Sequence, residues 1–280
     1  MLSLSELTKL LELYNLSPKK FLGQHFLIDK NIQEKIIANC QISNEDVVLE
    51  IGPGLGALTE ELCRKAKFVY AIEKDELFCN LLKERFKLFK NLRIINDDIL
   101  KFRLPPQESP KHRLKVIGNL PYYISTPILT YLLKNRQHIS SIYISLQKEL
   151  AQRIIARPGS KNYGALTIFV NFYTKPEILF PIKRTCFYPR PEVDSCFLRI
   201  KILIKPKVNK QFENLFFSIV RLTFQKRRKK ILNALLKSKL GLKKEEWERI
   251  FKDIGIQPQR RPENLSIEDF FNLTDHLLKR

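Results

Sequence analysis

No run of about 18 apolar residues occurs in the sequence, so it contains no segment suited to a membrane-spanning helix. No C-x-x-C pair joins any of its five cysteines, Cys40, Cys63, Cys79, Cys186 and Cys196. The four histidines, His25, His112, His138 and His276, are scattered as well. Zinc-ligand spacing is therefore missing, no metal is expected, and a disulfide framework is no basis for a chain this large. A reducing compartment fits, with the cytoplasm as the expected location. A signal peptide is not expected, because Glu6, Lys9 and Glu12 interrupt what would be its apolar core. Internal repeats and low-complexity tracts are also lacking.

Charge of one sign is abundant instead. The formal net charge is +21, and residues 205–280 alone carry 19 basic against 9 acidic side chains. Such a balance says nothing about fold but favours polyanionic partners through phosphate contact and counterion release. Nucleic acid is the favoured reading, with an anionic membrane or plain solubility as alternatives. Apolar residues make up 44%, enough for a core in a chain of 280 residues, so one large domain and a small one are expected.

Leu4, Leu7, Leu11 and Tyr14 recur at helical spacing behind a Ser3–Glu6 capping box. Ser17-Pro18 breaks the pattern, and a second helix ends near Cys40. Strands and helices then alternate. Strands are expected at Val47–Ile51, Phe68–Ile72, Leu92–Ile95, Leu114–Ile117, Ile142–Leu146 and Leu166–Tyr173, with an edge or hairpin strand at Ser195–Ile204. Helices are expected at Ala57–Lys65 and Glu76–Phe89, the latter with Leu77, Leu81, Leu82 and Phe86 on one side. Alternation of this kind indicates a parallel sheet wrapped by helices. Lys205–Lys210 reads as a linker. Beyond it, Phe212, Leu215, Phe216, Ile219, Val220 and Thr223 form one helical stripe, followed by helical patterns around Ile231–Leu236 and Trp247–Phe251. The expected division is residues 1–204, with a helical extension over 1–16, and a helical unit over 205–280.

In an open parallel sheet, ligands sit beyond the carboxyl ends of the strands. After the first strand come Glu50-Ile51-Gly52-Pro53-Gly54-Leu55-Gly56-Ala57, a turn whose glycines allow close backbone approach to a ligand. This also satisfies a loose dinucleotide fingerprint, so a nicotinamide dehydrogenase competes here. Glu73 ends the second strand and can accept both hydroxyls of a ribose in any adenosine-bearing cofactor. Asp98, after the third, can accept an adenine amine or simply cap a helix. The fourth strand leads into Asn119-Leu120-Pro121-Tyr122. A dehydrogenase has no use for that turn. A base-modifying enzyme does, because the Asn119 side-chain oxygen and the Leu120 carbonyl, aimed by Pro121, can hold an exocyclic amine while Tyr122 stacks on the ring.

These two motifs resemble the adenine-N6 methyltransferases, and the wider pattern resembles the small-subunit ribosomal RNA adenine N6,N6-dimethyltransferase family. Phe21–Leu27, Leu146–Glu149, Ser160–Gly164, Phe187–Ser195, Arg227–Lys229 and Arg261–Ser266 carry the likeness from about residue 17 to the C-terminus. The resemblance implies a doubly wound, mostly parallel seven-stranded α/β sheet, a Rossmann-like methyltransferase, with a small C-terminal helical domain. It implies S-adenosylmethionine as cofactor, held by His25, Leu27, Gly52, Glu73, Asp98 and Asn119. His25 stands where the family usually has Asn; one of its ring nitrogens can donate from a similar place, in a contact sensitive to pH. Transfer to N6 of adenines in small-subunit ribosomal RNA is implied, on two adjacent adenosines, each dimethylated, in an immature 30S-type particle.

For that chemistry the catalytic set is Asn119, Leu120, Pro121 and Tyr122, and the resemblance implies Phe187 on the second face of a base flipped out of its stack. Lys226, Arg227, Arg228, Lys229 and Lys230 are read as cations spread round a helix that docks phosphates. A monomer without membrane attachment is expected. The competing readings are a large-subunit ribosomal RNA adenine methyltransferase of the resistance type, and a non-catalytic assembly or transcription factor with the same fold. The latter would show losses at Glu73, Asp98 or Asn119, and the sequence has none.

Overall fold

The computed structural model describes residues 3–19, 22–105, 113–203, 208–238 and 240–279. It opens with α1 (Leu4–Leu13), β1 (Phe26–Leu27) and α2 (Lys30–Asn39). Ser3 and Glu6 form the expected capping box on α1. Alternation follows through β2 (Val47–Ile51), α3 (Thr59–Lys65), β3 (Phe68–Glu73), α4 (Glu76–Arg85), β4 (Leu92–Asn96), β5 (Leu114–Asn119) and α5 (Ser125–Lys134). Next come β6 (Ile139–Gln147), α6 (Lys148–Ile154), α7 (Ala165–Tyr173), β7 (Thr174–Ile182), β8 (Phe187–Tyr188) and β9 (Ser195–Ile202). The tail holds α8 (Lys210–Gln225), α9 (Ile231–Leu235), α10 (Lys244–Asp253) and α11 (Ile267–Leu278). The linker residues 205–207, and Lys20 and Phe21 of the N-terminal motif, lie outside the described residues.

Seven strands pair in the order β4-β3-β2-β5-β6-β9-β7. The first five are parallel, and β9 runs antiparallel to β6. Val48, Leu49, Val69, Ala71, Val116 and Ile117 are fully buried, as expected of parallel strands covered on both faces. Strand order reverses between β2 and β5, which opens a crevice at their carboxyl ends. A separate two-stranded ribbon pairs β1 with β8, joining Leu27 to Phe187 and Phe26 to Tyr188.

Two strand assignments need correction. Leu166–Tyr173 lies in helix α7, not in a strand. Its Thr167, Ile168, Val170, Phe172 and Tyr173 are buried, and a helix apolar on several sides shows no clean period in its sequence. The strand comes directly after it, as β7, whose Pro176 and Pro181 disguise it. Proline lacks a ladder donor, so such a segment survives at a sheet edge, and β7 is the edge. Consequently β9, expected as an edge or hairpin strand, lies inside the sheet between β6 and β7. Helix α4 also departs in detail: Phe78 and Cys79 are buried while Leu77 is exposed.

Residues 1–151 and 176–202 form one compact unit, and residues 152–175 and 203–280 form the other. The expected continuous unit over 1–204 is thus interrupted by α7 and the segment before it. Within the second unit, α8 buries Phe212, Phe216, Ile219, Val220 and Thr223, and α10 buries Trp247, Ile250 and Phe251. Phe172 of α7 packs on Phe216 with ring centroids 4.6 Å apart, which explains why α7 clusters there.

Candidate active site

The carboxyl ends of β2 to β5 and the segment Leu22–Leu27 enclose one cavity. His25, Leu27, Gly52, Glu73, Asp98 and Asn119 all line it, so the structure brings the whole expected cofactor set together. Gly54 has φ +57°, and a Cβ there would lie 2.9 Å from the Phe26 ring, so the loop passes under the N-terminal segment only as glycine. Gly52 differs. Its φ is +66°, but an added Cβ would meet nothing closer than the Asn119 carbonyl oxygen at 3.9 Å. The space beside Gly52 is open cavity.

Glu73 reaches across to this loop. Its Oε2 accepts from the Gly54 N–H at 3.1 Å and its Oε1 from the Asp75 N–H at 2.9 Å. Burial pushes its carboxyl above the usual range, against the pull of those two donors. Asp98 is the opposite case. Burial works against its ionisation, but the Lys74 ammonium at 2.9 Å and the Leu100 N–H at 3.0 Å outweigh it, and the carboxyl lies below its ordinary value. Asp98 is therefore a charged acceptor already tied to Lys74.

In the sequence Glu50 stands out only as part of the glycine motif. It lines the cavity, is 2% exposed, and its Oε2 has no hydrogen-bond partner. Burial pushes its carboxyl up to about 8 from an ordinary 4.5. The folded chain then holds a proton that the unfolded chain releases at lower pH. Between those values the folded state binds more protons, so stability falls as pH rises through the window. Glu50→Gln is expected to flatten that decline, worth a few kcal/mol, in thermal melts between about pH 5 and about pH 9. An unchanged slope in the variant would mean that Glu50 is not the buried acid.

Asn119 ends β5, and its amide is held at one end only. Nδ2 donates to the His25 carbonyl at 2.8 Å, while Oδ1 is buried without a partner. A buried acceptor left unsatisfied is costly, so its retention at a cavity wall marks a place for an incoming donor. The following turn is rigid. Leu120 donates its N–H to the Ser145 carbonyl at 3.3 Å, its side chain is buried, and the Pro121 carbonyl accepts from Ser125 Oγ at 2.9 Å.

The aromatic residues are placed less simply. Tyr122 is half-buried, its hydroxyl is 2.6 Å from Ser195 Oγ, and its ring stacks on His25 with centroids 5.5 Å apart. The cavity wall itself is lined by Tyr123, whose ring lies against Gly23. Phe187 needs correction. It is 3% exposed, packs in the core with Leu27, Ile36 and Ile37, and does not line the cavity. On the two-residue strand β8, successive side chains face opposite ways, so Phe187 turns inward and Tyr188 outward.

The basic run also departs from expectation. Helix α8 ends at Gln225, and Lys226–Lys230 form the turn into α9 rather than a ring of charge round a helix. Lys226, Arg228, Lys229 and Lys230 are exposed. Arg227 is spent internally: its Nε lies 2.5 Å from Glu263 Oε2, and Nη2 donates to the Lys161 carbonyl at 2.7 Å. Adjacent cations repel when stacked on one helical turn, and ending the helix lets four of them point to solvent while the fifth pairs.

Residues 15–279 match the family model described as ribosomal RNA adenine dimethylase. The chain is 44% identical over 262 residues to the ribosomal RNA small subunit methyltransferase A of Clostridium botulinum, covering 94% of each. It is 40% identical over 275 residues to the protein of the same name from Alkaliphilus oremlandii, covering 97% and 96%. Among solved structures, a dimethyladenosine transferase from Plasmodium falciparum superposes with a TM-score of 0.78 at 25% identity, over 89% of this chain and 96% of that one. The 23S rRNA methyltransferase ErmE superposes almost as well, with a TM-score of 0.73 at 25% identity, over 90% and 99%. The fold is thus shared with an enzyme named for 23S rRNA, while the relatives at 40–44% identity are named for the small subunit.

Proposed function

Since this chain belongs to the ribosomal RNA adenine dimethylase family, we propose that it methylates N6 of adenines in small-subunit ribosomal RNA, on immature particles in the cytoplasm. S-adenosylmethionine is its cofactor in this reading, and two adjacent adenosines, each dimethylated, are its targets. The observation that carries the reading is the unpartnered, buried Oδ1 of Asn119 at the cavity wall.

The residues present fit the cofactor. The open space beside Gly52 admits a ligand against the backbone, and Glu73 presents a buried carboxyl to a ribose diol. Asp98 is the acceptor for the adenine amine, and His25 and Leu27 close the cavity from the N-terminal side. When bound, S-adenosylmethionine supplies an electrophilic sulfonium methyl.

The target amine is a poor nucleophile because its lone pair is delocalised into the purine. Asn119 Oδ1 and the Leu120 carbonyl accept its two N–H bonds and draw the nitrogen toward a tetrahedral geometry, which frees the lone pair. Preorganised dipoles of this kind contribute a few kcal/mol each. Orientation of the amine in line with the methyl supplies much of the rest. No strong base is required, since the proton becomes acidic as the new N–C bond forms. In this reading Tyr122, stacked on His25, covers one face of the flipped base. Lys226, Arg228, Lys229 and Lys230 hold phosphates and set position rather than sequence.

Incubation with isotopically labelled S-adenosylmethionine and immature small subunits, followed by mass spectrometry of the RNA, tests the whole reading. Labelled N6,N6-dimethyladenosine in small-subunit RNA is expected. Label confined to large-subunit RNA would overturn the substrate assignment in favour of the alternative that shares this fold.

A further inference from the structure

The segment Leu22–Leu27 is one wall of the cavity, and its two ends are held very differently. The far end is sewn in place. Phe26 and Leu27 pair with β8, Ile28 N–H donates to the Cys186 carbonyl at 2.9 Å, and buried Gln33 donates to the Leu27 carbonyl at 3.0 Å. The near end is held by side chains: His25 Nδ1 lies 2.7 Å from the Pro189 carbonyl oxygen, and Asp75 gathers the rest. Asp75 Oδ2 takes the Lys19 ammonium at 2.8 Å and Gln24 Nε2 at 3.2 Å, while Gln24 Oε1 accepts the Lys19 N–H at 2.7 Å.

Asp75 is nearly fully buried, at 4% exposure, and it serves several elements at once. Its Oδ1 caps α4 through the Leu77 N–H at 3.2 Å. Its own N–H is one of the two donors to Glu73, whose other oxygen holds Gly54. On the other side, the strap's His25 carbonyl is the acceptor that orients the Asn119 amide. An unbroken series of hydrogen bonds and short chain links therefore runs from the glycine loop, through Glu73, Asp75 and Gln24, to His25 and Asn119.

We propose that Lys19, Gln24 and Asp75 form a latch that seats the 22–27 strap, and that Lys19 and Gln24 are positioning residues that hold Asn119 in place at the cavity wall. The proposal rests on the methyltransferase reading for its effect on turnover, but not for the latch itself. Because the latch shares Asp75 with the Glu73 network, a ligand on Glu73 favours the seated strap, and a seated strap favours the ligand. The seated strap holds Asn119 through the His25 carbonyl.

Lys19 does not line the cavity, so it can be altered without touching a cofactor contact. Lys19→Met keeps the aliphatic stem and removes the charge. The expected result is a fall in kcat of roughly ten- to a hundredfold with a smaller rise in the cofactor KM, because misplacement of a reacting group costs rate more than binding. Hydrogen exchange of the 22–28 peptide, measured with S-adenosylhomocysteine bound, is expected to quicken in Lys19→Met and return to the wild-type level in Lys19→Arg. Exchange and kinetics both unchanged in Lys19→Met would overturn the latch, as would failure of arginine to restore them. Faster exchange without a loss of kcat would show a latch that does not position Asn119, which also overturns the proposal. The methyltransferase reading fails by a different result, namely transfer that survives loss of Asn119.

Discussion

Asn119→Ala is expected to lower kcat for methyl transfer roughly 10²- to 10³-fold while leaving affinity for S-adenosylhomocysteine within a few-fold of wild type. The asymmetry follows from the two ends of the amide. Nδ2 is committed to the His25 carbonyl at 2.8 Å, so losing it loosens one hydrogen bond in the strap. Oδ1 is buried and has no partner in the folded protein, so alanine removes no internal hydrogen bond at that end. An acceptor that matters most while the amine is turning tetrahedral acts on the barrier rather than on ground-state binding. Asn119→Asp separates the two ends further. It keeps the acceptor but sets a second oxygen against the His25 carbonyl, so the side chain should swing and activity should remain low. Isothermal calorimetry with S-adenosylhomocysteine and single-turnover transfer to immature small subunits distinguish these effects. Undiminished single-turnover transfer in Asn119→Ala would remove the central residue of the mechanism.

Much of this site was legible in the sequence because open parallel sheets place ligands at strand ends. Reading Gly52, Glu73, Asp98 and Asn119 as the residues following four successive strands puts them in one cavity, and the structure does so. The N-terminal contribution was legible only through the family resemblance at His25 and Leu27. Nothing in the spacing of residues 19–28 says that the segment crosses the glycine loop. Lys19, Gln24 and Asp75 stayed hidden for the same reason, since their partnership depends on a contact between positions 51 and 56 apart in the chain. Gly54 carried a faint signal. Its positive φ was readable from the motif, but the Phe26 ring that forbids a side chain there was not.

The errors arose where local pattern and tertiary setting disagree. The sequence of α7 reads as a strand because its buried residues occupy several faces, and Pro176 and Pro181 hide β7, an edge strand that tolerates them. The family resemblance sets Phe187 against the base, but a two-residue strand alternates its side chains, and the one turned inward belongs to the core. Charge patterning misled in a similar way. Five consecutive cations suggested a uniformly basic helix, whereas the carbonyls and the carboxylate around Arg227 gave that one residue a separate fate.

That separation makes the basic turn divisible by experiment. Replacing Lys226, Arg228 and Lys229 together with alanine is expected to weaken binding to immature small subunits roughly ten- to a hundredfold at physiological salt and to reduce the salt slope by roughly 2 to 3. All three are exposed, so the melting temperature should barely move. Arg227→Ala should do the reverse. It leaves Glu263 and the 160–161 carbonyls without their guanidinium, costing roughly 1 to 3 kcal/mol of stability, while the slope stays near wild type. Equal slopes in the triple variant and the wild type would exclude the exposed turn from phosphate contact. A changed slope in Arg227→Ala at unchanged melting temperature would place that arginine on the RNA instead. Phosphate contacts act through counterion release and so respond to salt, whereas a side chain that ties three segments of one unit acts through folding and responds to heat.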